Sequence, residues 1–515
     1  MDYSATDKGF LGHPRGLAVC FLTEMWERFS FYGMKALLTL YLTKHFLFTD
    51  AISFQIYGAY TALVYVGPLF GGMIADRYLG SRKAVTLGAV LLVLGHFGMA
   101  FEGAPALQTV VDGATVVERD PFYLQIFYLS LGLICIGVGF LKPNISTMVG
   151  DLYAPGDARR DSGFTIFYMG INLGAAIASA LCGYLGETYG WRYGFGLAGI
   201  GMALGLVVFQ MGHKYLPPRA EPPQPEALKA RTVIGLSTEW LIYVGSLGAV
   251  ALAWLLVQNF DVVGKILGAS GVLAAGIIIY VSLFQATPEE RGRMLSATTL
   301  IVFSIFFWAL FEQAGSSLNL FADRVVDREI MGGVVPASVF QSLNPAFIIT
   351  MAPLFAMLWI WLAGRNREPS TPVKFSLGLM QAGLGFLVLV FGASLAGPGG
   401  KVALIWLVLA YFFHTTGELC LSPVGLSMVT KLSIPRMVGF MMGVWFLSSA
   451  AAQYVASLIA QLTESHTAGG AVVDHGSALA NYTSVFETIG WVGIGIGVVL
   501  LLLSPLLRKH MHGVH

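Results

Sequence analysis

Fourteen mostly apolar stretches follow one another along this chain of 515 residues, each long enough to cross a bilayer core, which takes about 20 helical residues. They run near 15–43, 52–76, 83–102, 122–149, 162–185, 192–211, 239–257, 263–284, 292–321, 337–363, 374–394, 402–430, 436–461 and 485–506. Only 11% of residues are charged, against about 25% in soluble domains. The 62 glycines suit helices that approach closely in lipid. A formal charge of +1 leaves no basic field for nucleic acid. Cys20, Cys135, Cys182 and Cys420 all lie in apolar runs and form no disulfide framework. The expected class is an all-α polytopic membrane protein.

Basic residues set the expected orientation. With the N-terminus cytoplasmic, alternate segments on that side hold about 20 of the 30 Lys and Arg residues, among them Arg82, Lys83, Arg159, Arg160, Lys214 and Arg219. Both termini are then cytoplasmic. The segment Met1 to Pro14 holds Asp2 and Asp7, so no cleavable signal is expected there. His213 to Ala227 carries five prolines and reads as a semi-rigid extended linker. The expected organisation is a six-helix bundle over 1–212, a cytoplasmic linker over 213–238, two accessory transmembrane helices over 239–285, and a second six-helix bundle over 286–515. Paired bundles are a transporter plan, with the substrate held near mid-membrane.

Charges buried in lipid cost at least about 2.5 kcal/mol each, so they call for partners or water. The first span holds Glu24, Glu27, Arg28, Tyr32 and Lys35 on one face. Arg28 follows Glu24 by four residues and Glu27 by one, so a single guanidinium can serve two carboxylates. Further along stand Lys142, Glu312 and Glu418. The first half therefore contributes bases and the second acids, a layout that suits a zwitterion. Carboxylates beside bases in a poorly hydrated cavity also meet the physical requirement for proton coupling.

Four motifs carry a family resemblance. Glu24-Met25-Trp26-Glu27-Arg28-Phe29-Ser30-Phe31-Tyr32-Gly33 resembles the ExxERFSYYG signature of proton-dependent oligopeptide transporters, bacterial type, within the major facilitator superfamily. Gly71-Gly72 through Ala75-Asp76-Arg77-Tyr78-Leu79-Gly80 resembles that superfamily's loop motif. Phe167 to Gly174 resembles FYxxINxG, and Gly417 to Gly425 resembles GELxxSPxG. The resemblance covers essentially the whole chain. It implies the major facilitator fold, two six-helix bundles plus two accessory helices, and a proton-coupled importer of di- and tripeptides working by alternating access.

By the same resemblance, Glu24, Glu27 and Arg28 couple protons, and Arg28 with Lys142 attracts the peptide carboxylate. Lys35 stands where related members often carry Arg, which weakens a bidentate contact there. Asn172 and Asn344 would meet the peptide backbone, Glu418 its ammonium, and Ser422 lies one turn beyond Glu418. Tyr32, Tyr65, Trp308 and Trp445 would line side-chain pockets. Lys142 with Glu312, and Asp76 with Arg77, would serve the gates. Phe31 replaces a usual Tyr and removes a hydroxyl. Gly58 occupies the span where animal members carry a functional His, so coupling must rest on carboxylates. Pro68, Pro143 and Pro423 allow bending within spans.

Other signals carry less. Gly493-Ile494-Gly495-Ile496-Gly497 mimics a nucleotide fingerprint, but close helix packing explains it better. Asn144 and Asn481 head glycosylation patterns, but the first lies within a span and the second matters only in a eukaryotic secretory route. His510, His512 and His515 form a solvated tail. Neither HExxH nor GxSxG is present, so no enzyme is expected. Protons stand in place of a cofactor, and the partners expected are peptides, protons and membrane lipid, with no obligate protein partner. The location expected is a bacterial inner membrane. The rival readings are a transporter of nitrate or single amino acids, disfavoured by Glu418 in the case of nitrate, and a membrane scaffold.

Overall fold

The computed structural model describes residue 7 and residues 9–111, 114–231, 235–396 and 400–512. Asp2 and His515 lie outside the described residues, as does the side chain of Pro423. Helices dominate: α1 (Arg15–Lys44), α2 (Asp50–Ile74), α3 (Gly80–Ala100), α4 (Pro121–Asp151), α5 (Arg159–Tyr189), α6 (Trp191–Gly212) and the short α7 (Pro225–Lys229) come first. They are followed by α8 (Thr238–Val257), α9 (Phe260–Phe284), α10 (Pro288–Phe311), α11 (Ser317–Arg324), α12 (Leu343–Ala363), α13 (Thr371–Ser394), α14 (Leu404–Leu432), α15 (Val438–Gln461) and α16 (His475–His510). An antiparallel hairpin pairs Leu107–Val111 with Ala114–Glu118.

Twelve helical stretches among the described residues are long and apolar enough to cross a bilayer. One of them, Asp50–Ala100, has 51 residues, enough for two crossings. Helix α1 falls outside that set because of its charges, yet its 30 residues also suffice. The expected fourteen spans are therefore accounted for. Their starts follow ordinary capping chemistry. Asp120 accepts from the Phe122 N–H ahead of α4, Ser237 from the Trp240 N–H ahead of α8, and Thr287 with Glu290 forms a capping box at α10.

The chain packs as two units, Met1–Tyr41 with Leu63–Asn259, and Leu42–Ala62 with Phe260–His515. The accessory helices divide between them, α8 in the first and α9 in the second.

In the first unit, glycines let helices touch backbone to backbone. A Cβ on Gly71 of α2 would sit 2.1 Å from the carbonyl oxygen of Gly139 on α4. One on Gly72 would meet nothing nearer than Pro143 Cβ at 3.6 Å, an ordinary contact. Gly71→Ala is therefore expected to lower thermal stability by about 1–3 kcal/mol, the usual range for overpacking. Gly72→Ala is expected to leave the melting curve of the detergent-purified protein within error of wild type. Equal curves for the two variants would refute the close crossing. Helix α4 continues through Pro143, and the Asn144 side-chain amide donates to the Phe140 carbonyl at 2.7 Å.

The proline-rich segment is docked rather than extended. It forms short 3-10 turns at His213–Tyr215 and Pro218–Ala220, then α7. Ala220 and Leu228 are buried. Leu228 packs with Ala75, Leu79, Ala84 and Phe140, so two apolar side chains in a polar stretch secure the segment. Gly80, with φ at 71°, takes a left-handed conformation and passes against the Glu221 backbone, where a Cβ would come within 2.5 Å.

In the second unit, α13 and α16 cross at small residues. A Cβ on Gly383 would lie 2.5 Å from the Gly490 carbonyl oxygen, and Ser376 Oγ donates to the Gly497 carbonyl at 2.7 Å. Gly493 and Gly497 thus serve close packing. Helix α10 ends at Phe311 and gives way to a 3-10 turn over Glu312–Gly315 before α11 begins.

Candidate functional site

Each unit carries part of the expected residue set. In the first, Glu24, Glu27 and Arg28 are buried at 2%, 0% and 4% exposure on one face of α1. Arg28 Nη2 donates to Glu27 Oε1 at 2.6 Å, and Arg28 Nε donates to Glu27 Oε2. Arg28 Nε also lies 3.2 Å from Glu24 Oε1. One guanidinium therefore serves two carboxylates, as the spacing implies. A buried cation held this way is stable only while a carboxylate remains charged beside it. Glu24 Oε2 is buried with no hydrogen-bond partner among the described residues. The Phe31 ring, where a hydroxyl was expected to be missing, offers its face to Arg28 with Cζ 5.2 Å from the centroid.

Lys142, on α4, sits over the Tyr65 ring of α2 with Nζ 4.9 Å from the centroid. It is within electrostatic range of Arg28, Glu27, Glu24 and Lys35. Lys35 Nζ lies 5.9 Å from the Tyr32 ring centroid. Asn172 is buried, and its amide donates to the Tyr168 carbonyl at 3.0 Å. Glu24, Glu27, Arg28, Lys35 and Lys142 form one charged cluster. Asp76 and Arg77 stand apart from it, exposed on a π-helical turn over Ala75–Leu79 between α2 and α3. Such turns interrupt regular helix bonding and recur at functional places.

In the second unit, the Asn344 amide of α12 donates to Glu418 Oε2 at 2.9 Å and to Thr415 Oγ1 at 3.1 Å, both on α14. Asn344 therefore fixes the Glu418 carboxylate, a role that its expected peptide contact did not include. Glu312 is 6% exposed at the break after α10. Trp308 is half-buried and packs edge-on against Phe307 and Phe311. Trp445 of α15 presses on Gly425, where a Cβ would come within 2.5 Å of its ring. Ser422 is half-buried on α14.

Two features escaped the sequence reading. Arg324, the last residue of α11, makes a bidentate pair with Asp50, the first residue of α2, at 2.6 and 2.7 Å. Lys44 pairs with Asp323 at 2.7 Å. No sequence spacing signals either pair. Among the described residues no group of three His, Cys, Asp or Glu side chains could hold a metal.

A family model described as POT family matches residues 82–480. A di-/tripeptide transporter of Lactococcus lactis subsp. lactis is 34% identical over 531 residues, covering 99% of both chains. The peptide transporter YePEPT of Yersinia enterocolitica is 37% identical over 478 residues, covering 87% of this chain and 88% of the relative. A crystal structure of a peptide transporter POT in complex with sulfate superposes with a TM-score of 0.81 at 38% identity, covering 99% of each chain. A mutant peptide transporter POT in complex with alafosfalin gives a TM-score of 0.81 at 38% identity over 98% of this chain and 97% of that one.

Proposed function

We propose that this chain, which belongs to the POT family, imports di- and tripeptides together with protons by alternating access. It is a multi-pass membrane transport protein of the major facilitator fold and not an enzyme. The observation that carries the coupling is the buried Glu24–Glu27–Arg28 network. When a carboxylate of the pair takes a proton, Arg28 loses part of its internal neutralisation and can receive an anionic group. When the proton leaves, the internal pair reforms and the substrate is released. Only a ligand held unequally by two states can shift them, and Arg28 supplies that inequality.

In this reading Arg28, Lys142 and Lys35 attract the peptide carboxylate, and Glu418, held by Asn344, takes its ammonium. Asn172 and Asn344 serve the peptide backbone, with Ser422 beside Glu418. Tyr32, Tyr65, Trp308 and Trp445 accept varied side chains, since aromatic rings combine apolar area with a polar edge. Lys142 and Glu312, and Asp76 with Arg77, are assigned to gating. Both termini face the cytoplasm, and the membrane is a bacterial inner membrane.

The test is uptake of labelled di-alanine into liposomes that hold the purified protein. Accumulation is expected only with an inward proton gradient, and excess unlabelled dipeptide is expected to block it. Flux of nitrate or single amino acids in its place would overturn the substrate. No flux of any solute would favour the scaffold reading.

A further inference from the structure

A cleft of about 370 Å³ opens on the first unit between α3, α6 and α8, away from the buried charge network. Its rim is polar, formed by Arg82, Lys83, Thr86 and Gln210, and its wall is apolar, formed by Leu87 and Val90. We propose that this cleft binds one acidic phospholipid, the phosphate headgroup at Arg82 and Lys83 and an acyl chain along α3.

The polarity runs in the direction a phospholipid needs. Lys83, Leu87, Val90, Leu94 and Phe97 recur every three or four residues and so share one face of α3. Val90, Leu94 and Phe97 are 40%, 55% and 43% exposed. At about 1.5 Å per residue, Lys83 to Phe97 spans roughly 20 Å, comparable to one leaflet with its headgroup layer. Exposed Val207, three residues before Gln210 on α6, continues the apolar surface on the cleft's side.

The charges favour an acidic headgroup. Arg82 pairs with Glu221 at 2.7 Å, but the two side chains are about one-third and one-half exposed, so the pair exchanges partners at little cost. A guanidinium offers five N–H donors and suits a phosphate bidentately. Lys83 contacts Glu239, whose carboxylate also accepts the Tyr243 hydroxyl at 2.8 Å. An ammonium has three donors, and Glu239 is the one hydrogen-bond partner of Lys83 among the described residues. Lys229 of the docked linker acts electrostatically on the same Glu239. Three bases therefore face two carboxylates. The Gln210 amide donates to Thr86 Oγ1 at 3.0 Å, which fixes that side of the polar rim.

Native mass spectrometry of the full-length protein tests the site, with equal amounts of phosphatidylglycerol and phosphatidylcholine of identical acyl chains. The wild type is expected to retain one phosphatidylglycerol in preference to phosphatidylcholine. Arg82→Gln and Lys83→Gln are each expected to reduce that preference about fivefold, the worth of one base near an anionic lipid. Val90→Trp, which leaves every charge in place, is expected to lower retention of phosphatidylglycerol by blocking the chain track. It also tests the site if the charge variants fail to fold. Equal retention of the two lipids by the wild type, or an unchanged preference in the folded variants, overturns the proposal. Displacement of the lipid by millimolar inorganic phosphate also overturns it, because the site would then belong to a free anion.

Discussion

Glu27→Gln is expected to abolish concentrative uptake of di-alanine while leaving gradient-free exchange of labelled for unlabelled dipeptide. Glu27 is fully buried and holds Arg28 through two hydrogen bonds. Glutamine has nearly the same shape but stays neutral at every pH, so it imitates the protonated carboxyl permanently. Of its two polar ends, only the carbonyl can still accept from Arg28. A hydrogen bond to a charged group contributes about 1.5–3 kcal/mol, a factor of roughly 10 to 100 in an equilibrium. Binding by Arg28 then no longer depends on a proton, and the inequality between the loaded and unloaded states disappears.

Exchange measured at zero gradient separates this loss from misfolding, because a misfolded transporter exchanges nothing. Glu24 gives the contrast. Its Oε1 lies 3.2 Å from Arg28 Nε, while its second oxygen has no partner among the described residues. Glu24→Gln is expected to weaken coupling less than Glu27→Gln does. Wild-type accumulation by Glu27→Gln would remove the network from the coupling step.

The legibility of this arrangement in the sequence depends on how its contacts are spaced. Glu24, Glu27 and Arg28 lie within five residues of one apolar run, so helical geometry alone puts them on one face. Gly493 and Gly497 could be assigned to packing because no strand surrounds them. The partnership of Asn344 with Glu418 spans 74 residues, and amides carry no spacing signal of their own. The linker misleads by composition. Its prolines suit extended chain, but Leu228 finds an apolar surface at Ala75 and Leu79, and Ala220 is buried too, which local pattern cannot reveal. Glu312 sits in an apolar run that looks continuous, and only the folded chain shows the helix ending one residue before it. Asp50 and Arg324 lie near the ends of apolar runs, where a charge reads as a simple boundary marker.

Asp50→Ala or Arg324→Ala is expected to cost about 3–5 kcal/mol of stability, because each leaves an uncompensated charge in a site that buries both residues. The two side chains are placed by their helices as well as by each other. Asp50 opens α2, where the helix dipole favours an acid, and Arg324 closes α11, where it favours a base. Asp50 Oδ2 also accepts the Ser465 N–H at 3.0 Å, and Arg324 Nη1 lies 3.3 Å from the Tyr482 hydroxyl. Exchanging the charges, with Asp50→Arg and Arg324→Asp together, restores an attractive pair but sets both against their helix ends and removes the acceptor for Ser465. That double variant is expected to remain clearly less stable than wild type. Replacing both residues by leucine removes the unpaired charge and is expected to recover most of the single-variant loss, since buried pairs exchange for apolar packing at small net cost. Thermal unfolding of the two single variants and the two double variants forms the test. Fully additive losses in the leucine double would show that Asp50 and Arg324 act independently, and full rescue by the charge exchange would show that the helix ends and Ser465 contribute nothing.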